Sequence, residues 1–205
     1  MDQLLPMFPL GTVLFPHAVL PLHVFEPRYR TLTEHCLAGD SSFGVVLIER
    51  GSEVGGGEVR FDVGTVARIV QAGRLDDGRW VLVTMGERRV RVRRWLPDDP
   101  YPLAEVETLT DPPVAADRNA VPEIARALRR VLALRAELGE AVAGVDVGLS
   151  DDPVRASFEA CGLASFGPLD AQGLLELDDT GARLARLETM LRDEGTMLEL
   201  RLASS

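Results

Sequence analysis

At 205 residues, with 46% hydrophobic and 26% charged side chains, the chain suits one large domain or two small ones, with the composition of a soluble globular protein. Its formal charge is −10, and neither half is basic, since 16 acids face 12 arginines before Asp117 and 16 face 10 from there on. The general electrostatic driver for nucleic acid or an anionic membrane surface is therefore missing. All 22 basic residues are arginine; without lysine, a Walker lysine, a Schiff base and a serine–lysine dyad are all excluded.

The stretch from Gln3 to Phe25 carries no charged side chain, a length that would suit a membrane span. Pro6, Pro9, Pro16 and Pro21 interrupt it, and each would break a helix. A secretory signal does not fit either, because Asp2 stands where a basic start belongs and no small-residue cleavage site follows. The run predicts short extended pieces, "LLPMFPL", "VLFP" and "AVLPLHVF", with prolines at strand ends and edges. A cytoplasmic, membrane-free protein is the expectation.

Glu26-Pro27 then opens a helix with proline in its first turn. Tyr29, Leu32, Cys36 and Leu37 fall on one face of it, and Gly39-Asp40 ends it. "FGVVLIE" predicts a strand, and the loop after it holds Gly55-Gly56-Gly57. From Gly64 the pattern is β again: "GTVARIVQAGRL" and "RWVLVTM" flank the hairpin signal Asp76-Asp77-Gly78. In "GERRVRVRRW", Val90 and Val92 point one way and Arg89, Arg91 and Arg93 the other. "YPLAEVETL" supplies a last strand before the proline-bearing linker "TDPPVAAD".

Beyond the linker the period becomes helical. Ile124, Leu128, Val131, Leu132, Leu134 and Leu138 mark one helix. Ser150, Asp151 and Asp152 supply a cap for the next. "PLDAQGLLEL" predicts a short helix, and Thr180 to Leu202 a final amphipathic one. The fold class is α+β, with a β-rich domain over 1–112 and a helical domain over 117–205.

The ordered motifs "FPLGTVLFPHAVLPLHVFEPRYR", "FGVVLIERGSEVG", "VGTVARI", "LDDGRWVLVTMGERRVRV", "YPLAEVE" and "AQGLLEL" resemble the N-terminal substrate-binding domain of Lon proteases, above all its free-standing bacterial members. The resemblance runs from about Met7 to Leu198. It implies an N-terminal PUA-like pseudo-barrel with one early helix, followed by a helical bundle. It also implies a role in holding protein substrates, without the ATPase and peptidase modules. One departure is His17, where the family commonly has glycine, a position that questions the local turn because a side chain with a Cβ adopts positive φ less readily than glycine.

The remaining candidate chemistry is thin. His17, His23 and His35 lie in no metal-ligand spacing, and Cys36 and Cys161 form no disulfide framework and no zinc pattern. "LASFG" around Ser165 lacks the first glycine of a nucleophile elbow. "GSEVGGG" lacks phosphate-loop spacing. The arginine strand from Arg88 to Arg94, beside Trp80 and Trp95, is the one feature that suggests RNA, and Asp98, Asp99, Glu105 and Glu107 are at hand to neutralise it. No cofactor is expected. The expected activity is non-catalytic binding of unfolded or hydrophobic protein segments, as an adaptor or holdase in protein quality control, with a protease ATPase as a further partner. The alternative is a PUA-like module for a small molecule or RNA. The residues assigned to the recognition surface are Phe15, Pro16, Leu22, Phe25, Glu26, Arg28 and Tyr29.

Overall fold

The computed structural model describes residues 3–51, 59–112, 120–142 and 148–204. The glycine triplet, most of the proline-bearing linker and residues 144–147 of "GVDVGLSDDP" lie outside them. The chain divides into two compact units, Met1–Thr110 and Asp111–Ser205.

The first unit contains β1 (Gln3–Leu10), β2 (Val19–Val24), α1 (Pro27–Ala38), β3 (Ser42–Arg50), β4 (Val59–Arg74), β5 (Trp80–Leu96) and β6 (Leu103–Thr108). The strand order is β2-β5-β4-β3-β1-β6, and a further β5–β6 pairing closes five of the strands into a ring. Among the described strands β1 and β3 pair in parallel and the other pairs are antiparallel. The length of β5 explains the arrangement: residues 80–85 pair with β2 and residues 90–96 with β6. β2 has β5 as its sole strand neighbour among the described residues, so its other edge is open.

Two hydrophobic clusters account for the uncharged N-terminal run. Leu5 and Met7 of β1 enter one, with Val46, Val66, Val90, Val92, Ala104 and Val106. Phe8 and Leu10 enter the other, with Leu22, Val24, Tyr29, Leu32, Phe43 and Leu82. Over Met7–Leu10 β1 is buried on both faces and has no position left for a charge, while Leu4 nearer its start is 56% exposed. β2 instead alternates, with Leu22 and Val24 buried and Val19, Pro21 and His23 exposed.

Three details differ from expectation. "VLFP" is not a strand: Val13 to Phe15 run irregularly into a turn at Pro16-His17, with Leu14 and Phe15 buried, and the following His17 and Ala18 backbone bonds to Gly86 of β5. Leu37 is partly exposed, and Thr33 takes its place in the buried face of α1. Thr33 is satisfied there by donating to the Tyr29 carbonyl at 2.9 Å. Arg89 is 1% exposed, so the outward row of β5 is not uniformly solvated.

The second unit contains α2 (Ala120–Glu137), α3 (Pro153–Ala164), α4 (Pro168–Glu176) and α5 (Thr180–Ala203). α3 begins at Asp152, whose carboxylate accepts from the Val154 amide at 3.1 Å, and α5 at Asp179, which accepts from Ala182 at 2.7 Å. Ile124, Leu128, Val131 and Leu132 of α2 are buried, as are Leu184, Leu187, Leu191 and Leu198 of α5. Arg183 is wholly buried. Its guanidinium donates to Ser157 Oγ, the Leu177 carbonyl and Asp111 Oδ1 at 2.9, 2.6 and 2.6 Å, and lies 3.8 Å from the Phe158 ring centroid. Among the described residues no helix is long and apolar enough to cross a membrane.

Candidate functional site: an aromatic-floored groove

The end of β2 and the start of α1 are joined by Phe25-Glu26 alone, so the chain turns sharply from strand to helix. Pro27 suits the first helical turn, where its missing N–H costs nothing. This corner, together with β1, encloses a groove of about 250 Å³. Phe8 and Leu10 come from β1, Leu20 to Val24 from β2, and Tyr29 from α1, with Thr12, Phe25 and Glu26 completing the lining. The floor is a stack: the Phe8 and Tyr29 rings lie 4.0 Å apart and 10° from parallel. Phe25 at the rim is 56% exposed, although transferring such a ring out of water is worth about 1.5–3 kcal/mol.

The groove brings together Leu22, Phe25, Glu26 and Tyr29 of the expected residues. Leu22 is a largely buried wall and Tyr29 part of the buried floor, while Phe25 is open to solvent. Phe15 and Pro16 are buried in the turn and are absent from the lining. Phe15 is 4% exposed, and its carbonyl approaches Gly86 too closely to leave room for a side chain at that position. Arg28 also lies outside the lining, pairing with Glu26 at 3.1 Å. Phe8, Leu10, Leu20 and Val24 were not singled out by the sequence. The alternation in "VLPLHV" could have found Leu20 and Val24, but Phe8 meets Tyr29 only through tertiary packing.

Other candidate chemistry stays dispersed. His17 is exposed, His23 sits on the open face of β2, and His35 Nδ1 lies 2.8 Å from Tyr101 Oη. Among the described residues no three His, Cys, Asp or Glu side chains group as a metal would require. Burial pushes both the Cys36 and Cys161 thiols up to about 12, the opposite of an activated nucleophile. Ser165 ends α3 in the left-handed region at φ 50° and borders a small cavity with Arg135, Glu140 and Glu194. The arginine strand is matched by carboxylates on β6. Arg94 reaches Glu105 at 2.5 Å, and Arg91 and Arg93 both pair with Glu107.

Residues 4–193 match the family described as the ATP-dependent protease La (LON) substrate-binding domain. Curated relatives include the Lon protease of Trichlorobacter lovleyi, 28% identical over 97% of this chain and 25% of its own length. Another is Lon protease 2 of Herpetosiphon aurantiacus, 31% identical over 96% of this chain and 24% of its own. The chain thus spans about a quarter of the length of the curated relatives it matches. Among solved structures, a Lon N-terminal domain protein from Xanthomonas campestris is 32% identical, with a TM-score of 0.69 over 90% of this chain and 96% of that one. The N-terminal domain of a Mycobacterium avium complex Lon protease, 23% identical at a TM-score of 0.62, shares the fold. The chain belongs to the Lon substrate-binding domain family.

Proposed function

We propose that this chain is a non-catalytic binding module, cytoplasmic in location, that takes an exposed apolar side chain of an unfolded polypeptide into the groove. In that role it acts as an adaptor or holdase in protein quality control, and an ATP-dependent protease is the partner that would receive its clients. The observation that carries the reading is Phe25, held in solvent over a floor of stacked aromatics at the open edge of β2, within a chain that matches a substrate-binding family. An extended segment can lie against such an edge while one side chain fills the hollow. The volume favours that occupant over a free ligand, since about 250 Å³ falls below the roughly 300–1,000 Å³ of small-molecule sites. RNA is disfavoured because the arginines of β5 already face Glu105 and Glu107.

The test is binding to fluorescein-labelled reduced, carboxymethylated α-lactalbumin, a permanently unfolded protein. Wild type should bind it reversibly, with native α-lactalbumin ignored and ATP without effect. Phe25→Ala should weaken binding about tenfold, the share of an aromatic anchor worth ~1.4 kcal/mol, at unchanged Tm. Binding no stronger than that of an inert acidic protein would refute the proposal.

A further inference from the structure

Arg28 precedes the floor residue Tyr29 and follows the rim residue Glu26 by two positions, yet it does not line the groove. Its side chain is only 16% exposed, a low value for an arginine on the first turn of a surface helix. Nε donates to Glu26 Oε2 at 3.1 Å. The guanidinium carbon lies 4.5 Å from the centroid of the Tyr29 ring. Phe8 already covers one face of that ring at 4.0 Å, which leaves the opposite face for the cation. Nη1 lies 3.9 Å from Asp98 Oδ2, the same oxygen that accepts from Arg60 Nη2 at 3.4 Å. Arg60 in turn stacks over Trp95 of β5 at 4.4 Å. An ionic strap therefore runs from the groove rim, behind the aromatic floor, to the segment between β5 and β6.

We propose that Arg28 is a positioning residue of the groove rather than a contact residue, clamping the Tyr29 ring against Phe8 and holding Glu26 at the rim, with Asp98 as its outer anchor. This deepens the groove reading and rests on it. The guanidinium is suited to the task because its flat face covers the ring while its edge serves two carboxylates at once, a geometry that an ammonium cannot copy. A consequence is an unusual salt response. Apolar docking by itself is strengthened by sulfate, whereas sodium chloride screens a partly exposed ion-pair strap and loosens the floor.

The experiment uses the full chain with labelled Leu and Val methyls, as wild type, Arg28→Met, Arg28→Lys and Asp98→Asn. The Leu22 and Val24 methyls, which border the aromatic stack, should shift in all three variants, while those of Leu128 and Leu132 in the helical unit stay in place. Affinity for reduced, carboxymethylated α-lactalbumin should fall about three- to tenfold in Arg28→Met and Arg28→Lys, the loss of one cation–π clamp, and less in Asp98→Asn. Asp98→Glu should restore it. Sodium chloride should weaken wild-type binding and leave Arg28→Met indifferent. Unmoved Leu22 and Val24 methyls in both Arg28→Met and Asp98→Asn would overturn the proposal, as would shifted methyls with undiminished affinity in a wild type that binds. If the methyls shift but wild type ignores the probe, the positioning role stands and the binding role of the groove is what fails.

Discussion

His17 adopts φ 67°, a left-handed conformation that costs an L-residue roughly 1–2 kcal/mol, histidine being among the more tolerant. It persists because its amide donates to the Gly86 carbonyl at 2.7 Å while the Gly86 amide donates to Ala18 at 2.9 Å. The clasp is so tight that a Cβ on Gly86 would sit 2.2 Å from the Phe15 carbonyl oxygen. Replacing His17 by glycine should therefore raise stability by about 0.5–1 kcal/mol, relief of strain set against the extra entropy of an unfolded glycine. Gly86→Ala should lower it by about 2–3 kcal/mol, since backbone cannot move aside. Urea midpoints of the two variants check both signs; a stabilising Gly86→Ala would refute the clasp. The histidine was legible in the sequence as an odd residue at a turn, whereas Gly86 was not, because its partner lies about seventy residues earlier. The cysteines are residue-scale features too. Their burial predicts no reaction with Ellman's reagent at pH 8 until denaturant is added, and then two thiols. Because both thiols rise from 9.0 to about 12 on folding, the unfolded chain releases protons in that window that the folded chain keeps. Stability is thus intact below pH 9 and falls as pH climbs toward 12. Cys36→Ala with Cys161→Ala should flatten that fall in urea midpoints taken between pH 8 and 10.5.

At the scale of elements, periodicity carried most of the information. Proline spacing separated strands from a spanning helix, and the switch from period two to 3.6 after the linker was visible in residue type alone. What periodicity could not supply was partnership. β1 is apolar over Met7–Leu10 because two different clusters claim its two faces there, and only the ring closure through β6 creates the second. Likewise, Leu22 and Tyr29 were legible as apolar, but their place as groove wall and floor depends on the Phe8 stack. The arginines of β5 show the same limit: alternation placed Val90 and Val92 inward, while Arg89 is buried. Arg91, Arg93 and Arg94 face Glu105 and Glu107 across the β5–β6 pair. Cross-strand pairing of this kind neutralises a basic strand without needing distant residues. Wild type should accordingly show no affinity for poly(U) in a filter assay at low salt. The double substitution Glu105→Gln, Glu107→Gln should expose the arginine row and create weak, steeply salt-dependent binding. Strong binding by wild type would return RNA to first place among its ligands.

At the scale of the whole molecule, the boundary between the units is a matter of one carboxylate. A linker read from composition places the helical domain at 117–205, yet Asp111 groups with the second unit and supplies the carboxylate 2.6 Å from Arg183. Arg183 is fully buried between α3, the turn before α5 and this segment. A buried charge stripped of its counter-ion costs about 3–5 kcal/mol, a large fraction of what a helical unit of this size has in reserve. We therefore propose that the autonomous helical domain starts at or before Asp111. A fragment 109–205 should melt cooperatively by circular dichroism. A fragment 117–205 should melt at far lower temperature or remain partly unfolded, and Asp111→Asn within 109–205 should reproduce most of that loss. Arg183→Met in the 117–205 fragment should recover stability, since it removes the buried charge that Asp111 no longer balances while keeping contact with Phe158. Equal melting of 109–205 and 117–205 would show that the pair is dispensable, and the boundary would then lie in the linker after all.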